Sequence, residues 1–160
     1  MNRFQITADI DATVWLGVLE DFQYAPMNID YEKLKEFFEL GGIYIPSRDE
    51  LEKQLLRLSK DIKKEFKLYL REIADERKFG MYILDVQLPL GNEAFIAKHG
   101  TASVLVNGTF EVVMEMNVST ECIRDIVGGA LDRALDTVYQ SSDYLSACDA
   151  VCLDVQEIWN

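Results

Sequence analysis

The chain has 160 residues, 28 of them acidic and 16 basic, for a net charge of −12 at neutral pH. Apolar residues make up 49%, an ordinary share for a globule that needs no staples to build a core, and the length suits one domain. The acidic balance argues against direct binding to nucleic acid or to an anionic membrane, both of which draw on basic residues, and it suits a basic partner.

From residue 4 to 18 every even position is apolar: Phe4, Ile6, Ala8, Ile10, Ala12, Val14, Leu16 and Val18. Period two over fifteen residues predicts a strand with one buried face, either one long strand or two broken near Asp9–Asp11. Trp15 and Leu19 interrupt the polar face, which predicts an end covered on both sides. Residues 24–28, with Pro26, read as loop. Asp30 caps a helix over 31–40 that turns Leu34, Phe37 and Phe38 inward and stops at Gly41–Gly42. Residues 43–46 are an extended link.

A long helix is expected over 47–79. Leu51, Leu55, Leu58, Ile62, Phe66, Tyr69 and Ile73 recur at steps of three and four, close to the pitch of a straight helix. Ser47 and Glu50 form a capping box, and Gly80 is the expected stop after Arg77 and Lys78. The opposite side carries Lys53, Arg57, Lys60, Lys64, Lys67 and Arg71. Ten of the sixteen basic residues lie between Arg48 and Lys78, in a chain that is otherwise acidic. This stripe is either a solvated helix back, steadied by ion pairs one turn apart, or a ridge that binds a partner.

Residues 81–90 alternate, with Tyr82, Leu84, Val86 and Leu88 on one face and Pro89 at the end. Residues 91–100 form a connection holding His99. From 102 to 118 the even positions are again apolar, interrupted by Gly108. Asn107-Gly108 is either a bulge in one strand or the turn of a hairpin. Ser119 or Thr120 caps a helix to about residue 140, with Cys122, Ile126, Val127, Ala130, Ala134, Leu135 and Val138 inward. Gly128–Gly129 cost it about 1 kcal/mol each against alanine, and close packing on a neighbour is the expected compensation. Residues 141–150 read as loop or a helical turn. Val151, Leu153 and Val155 mark a last strand, and Ile158-Trp159 closes the chain. Residues 101–160 hold ten acidic residues and two basic ones.

No run is apolar and long enough to span a bilayer, and no leader-like segment opens the chain. Three cysteines without a paired-site pattern point to a reducing, cytoplasmic setting. A single histidine leaves no triad or His-rich metal site. Cys148 and Cys152 lack the spacing of a zinc knuckle and the second pair that a zinc site would need. Asp9 and Asp11 share a strand face and are the one pair that suits a divalent metal. The glycine pairs lack the lysine and serine of a phosphate loop.

The expected fold is α+β: an antiparallel sheet of four to five long strands, one face packed on the long helix and the helix after Thr120. The expected function is non-catalytic binding to another protein, of the inhibitor, immunity or phage counter-defence type, with no cofactor and with self-association as an option. The six basic residues of the stripe are the expected partner-binding set. The alternatives are a small-molecule or nucleotide-phosphate binder using that stripe, and a metal-dependent enzyme using Asp9 and Asp11.

Overall fold

Two uninterrupted strands carry the architecture. In the computed structural model, which describes residues 1–158, β1 (Asn2–Val18) and β5 (Thr101–Met116) run antiparallel along their full lengths, from Asn2 opposite Met116 to Val18 opposite Thr101. Neither folds at its ambiguous point. Asp9 and Asp11 sit inside β1, and Gly108 sits inside β5 opposite Ile10. The glycine is there for space rather than for a turn: a Cβ on it would lie 2.6 Å from the Gln87 carbonyl oxygen and from a Leu88 methyl.

The remaining strands flank this pair. β6 (Leu145–Ile158) pairs with the other edge of β1. On the far side of β5, β3 (Phe79–Gln87) covers the C-terminal half and β4 (Glu93–Ile96) the N-terminal end, with β2 (Met27–Asp30) outside β4. The six-stranded antiparallel sheet thus has four long strands. The two short ones, β2 and β4, lie in segments that the sequence presented as loop or connection.

The even positions of β1 from Phe4 to Leu16 are all buried, as are those of β5 from Ala102 to Met116. They face a layer of helices: α1 (Tyr31–Leu40), α2 (Arg48–Ala74) and α3 (Thr120–Ser141). Phe66 of α2 meets Phe110 of β5 edge to face, with centroids 5.0 Å apart. Ser47 and Ser119 cap α2 and α3 through their hydroxyls, and Asp30 caps α1 through its carboxylate. Of the two glycines in α3, Gly128 lets it approach a neighbour closely, and Gly129 leaves room for ordinary contact. A Cβ on Gly128 would meet Leu153 at 3.2 Å, and one on Gly129 would meet Ile73 at 3.5 Å.

Several sequence expectations need correction. α2 stops at Ala74, not near Lys78, because Asp75 takes φ +58 and turns the chain while its N–H reaches the Arg71 carbonyl. At 27 residues it is about 40 Å long. Tyr82 is not on the apolar side of β3: the register skips it between Met81 and Ile83, and the bulge turns its ring outward. β6 starts six residues earlier than Val151, and a second bulge at Cys152, with φ +56, breaks its alternation, so Val151 is exposed. Trp15 is not covered on both sides but 46% exposed. Of the closing Ile158-Trp159 pair, Trp159 lies outside the described residues.

Candidate functional site

All three helices pack on one side of the sheet, and the odd positions of β1 and β5 face away from them. Register places the neighbours of those positions on the same uncovered face. One row across four strands reads Asp154, Thr7, Glu111, Asp85. The next reads Val151, Asp9, Thr109, Gln87, and the one after it Asp149, Asp11, Asn107. Like charges therefore stand directly opposite each other twice, Asp11 across from Asp149 and Glu111 across from Asp85. Such pairs destabilise a sheet.

The partners of these carboxylates leave the charge in place. Gln5 Nε2 donates to Glu111 at 3.0 Å, Gln87 Nε2 to Asp85 at 3.0 Å and Gln156 Nε2 to Asp154 at 3.3 Å. All three donors are neutral amides. The cation that register puts on this face is Arg3. Its guanidinium lies 3.3 Å from Glu115 and 4.3 Å from the centroid of the outturned Tyr82 ring. Thr7, Asp9, Asp85, Glu111 and Cys152 surround a shallow hollow of about 370 Å³ near the centre of the face.

One end of the face is apolar. Trp15 is opposite Ser103, Ser103 is opposite Phe95, and Leu105 is one step along from Ser103 on the same face. Trp15, Phe95 and Leu105 are all exposed, Leu105 by 60%. An aromatic and aliphatic cluster beside uncompensated charge is the composition of a protein-binding patch.

The basic stripe is on the opposite side of the molecule. Lys53, Arg57, Lys60, Lys64, Lys67 and Arg71 are all exposed along α2. Among the described residues none of them is within 4 Å of a carboxylate, so the ion pairing expected of a solvated helix back is missing. Leu56 and Leu68 are exposed on the same helix, and Lys60, Lys63, Lys64, Lys67, Leu68 and Arg71 line one open hollow of about 380 Å³.

The other sequence candidates are scattered. Asp9 and Asp11 are exposed on the uncovered face as expected, yet among the described residues no three Cys, His, Asp or Glu side chains converge to hold a metal ion. His99 is exposed at the tip of the β4–β5 turn, which the Gly100 N–H closes onto the Ala97 carbonyl at 2.9 Å. Cys148 and Cys152 are both free thiols. Burial, and then the charge of Asp149, pushes the Cys148 thiol up to about 11. Tyr31 and Tyr144 are raised as well, mainly by burial.

Sequence reasoning missed Asp85, Glu111, Asp149 and Asp154 as companions of Asp9 and Asp11, because pairing register is a property of the folded sheet. It met Trp15 but read its interruption of the polar face as cover rather than as an exposed anchor. No family model, no curated protein and no solved structure matches this chain.

Proposed function

We propose that the protein works by non-catalytic binding of another protein, and that the uncovered sheet face receives a basic surface of that partner. One observation carries this reading. Asp9, Asp11, Asp85, Glu111, Asp149 and Asp154 share one exposed face, with two like-charge pairs held directly across strands. A sheet has no folding reason to hold such pairs, and a cationic partner turns their repulsion into attraction. Four strands about 4.8 Å apart, β3 about 30 Å long and the other three about 45–55 Å, offer roughly 900 Å², close to the ~800 Å² per side of a standard interface. Trp15, Leu105 and Phe95 supply the apolar anchor. A small acidic protein with such a face suits an inhibitor, immunity or counter-defence role, where it occupies a basic working surface on its target.

Zero-length carbodiimide coupling of carboxylates to lysines in a lysate of the native cell, read by mass spectrometry, tests the reading. Cross-links to one partner through Asp9, Asp11, Asp85 or Asp149 support it. Cross-links confined to carboxylates of the helix layer, such as Glu52 or Asp132, refute it.

A second reading has its own observation. The hollow lined by Lys60, Lys63, Lys64, Lys67 and Arg71 suits a phosphate-bearing ligand. Titration calorimetry with pyrophosphate and with ATP tests it, and no heat from either removes it.

A further inference from the structure

We propose that the basic ridge of α2 docks on the uncovered sheet face of a second copy of this chain, head to tail. The proposal rests on that face being a docking surface and names an occupant for it. Both halves of the interface are on one molecule, on opposite sides of the sheet. The ridge from Lys60 to Arg71 covers eleven steps of helix, about 16 Å. The acidic row from Asp154 to Asp85 crosses four strands, about 14 Å. A helix laid across that row sets Lys60, Lys67 and Arg71 against Asp154, Glu111 and Asp85, with Lys64 over Thr7 and Asp9 one row further on. None of these four cations has an ion pair within its own chain among the described residues. Leu68, 49% exposed beside them, adds an apolar contact. The product is a helix layer on each side of the sheet, with the second layer borrowed from the neighbour.

The contact is heterologous. It joins two different surfaces, so each added copy still presents one free ridge and one free face, giving a ring or an open chain. Each copy carries −12, so copies repel at long range. The Debye length is about 30 Å at 0.01 M salt, about 8 Å at 0.15 M and about 3 Å at 1 M. Near-physiological salt removes the long-range repulsion while leaving the close ridge-to-face attraction. Association is therefore strongest at intermediate salt and weak at both extremes.

Two variants test this by sedimentation velocity. One reverses the ridge (Lys60→Glu, Lys64→Glu, Lys67→Glu) and keeps the face. The other reverses the face (Asp154→Lys, Glu111→Lys, Asp85→Lys) and keeps the ridge. The wild type is expected to self-associate reversibly at physiological salt, and each variant alone to be monomeric. An equimolar mixture is expected to associate again, because it restores two complementary pairs of surfaces, the native ridge with the native face and the reversed ridge with the reversed face. A wild type that stays monomeric at every salt and concentration overturns the proposal, and so does a mixture that stays monomeric. Circular dichroism and melting confirm that both variants fold. If the lysine face variant does not, the neutral version (D154N, E111Q, D85N) replaces it and should bind the wild-type ridge at least tenfold more weakly. A monomeric wild type that still couples to a foreign protein through Asp9 or Asp11 removes self-assembly alone and leaves the partner reading standing.

Discussion

Asp11 stands directly opposite Asp149 in the β1–β6 ladder, two carboxylates facing each other on adjacent strands of one exposed face. Opposed like charges cost a sheet roughly 0.2–1 kcal/mol. Asp149→Asn is therefore expected to stabilise the protein by a few tenths of a kcal/mol and up to about 1 kcal/mol. Urea denaturation measures the change. A loss of stability would mean that the two side chains are not in electrostatic conflict.

Trp15 offers a second measurement. Exposed large hydrophobics contribute little to folding, so Trp15→Ala should shift stability by about 0.5 kcal/mol or less. In a Trp159→Phe background, Trp15 fluorescence should be strongly quenched by acrylamide in the free protein and protected once a partner covers the sheet. Weak quenching of the free protein would show that Trp15 is covered after all.

Gly108 is where β3 presses closest to β5. Gly108→Ala places a methyl group about where the Gln87 carbonyl oxygen and Leu88 now leave only 2.6 Å. Overpacking of this kind costs about 1–3 kcal/mol. Gly91→Ala is the control, since its added Cβ would meet nothing closer than 4.0 Å. Equal stabilities of the two variants would refute the close approach.

Asp75 closes α2 with φ +58 and ψ −124, a region that favours glycine. Asp75→Gly should stabilise the protein by about 1 kcal/mol, the relief of strain outweighing the added freedom of the unfolded chain. A melting temperature unchanged or lowered would count against strain at this turn.

Cys148 gives a pH dependence. Its thiol is raised from 9.0 to about 11 by burial, so the folded state holds the proton more tightly than the unfolded state. The contribution is fully present below pH 9 and declines as pH rises toward 11. Denaturation midpoints should fall between pH 8.5 and about 10, less steeply in Cys148→Ala. Iodoacetamide should alkylate the exposed Cys152 first and Cys148 only on unfolding.

The spacing of apolar residues was enough to place β1, β5 and the helices, though not to decide between single strands and hairpins, because alternation and helical spacing are properties of the local chain. α1 matches its expected bounds of 31–40 because Asp30 and Gly41 state both ends chemically. The short strands β2 and β4 carry four residues each, too few to show a period, and they exist only because β5 presents an edge to β4 and β4 an edge to β2. The bulges at Tyr82 and Cys152 were illegible for the same reason: each is a mismatch between two strands rather than a signal in one. The acidic face follows the same logic. Asp9 and Asp11 were visible as a pair, and the four carboxylates that join them arrive from β3, β5 and β6.

The place of β1 in the sheet dictates when the protein can form. β1 lies between β5 and β6, so Arg3 finds its partners at Glu115 and Ile158. At about 5–20 residues per second, a ribosome takes on the order of 4–16 s to make residues 19–100 between β1 and β5. During that interval Phe4, Ile6, Ile10 and Val14 have no strand to pair with. Pairing of β1 with β6 closes a still longer loop, most of the chain, which makes for a high contact order and slow folding. The nascent chain thus carries a sticky, fifteen-residue alternating segment through most of its own synthesis, and that segment is where a chaperone would bind first.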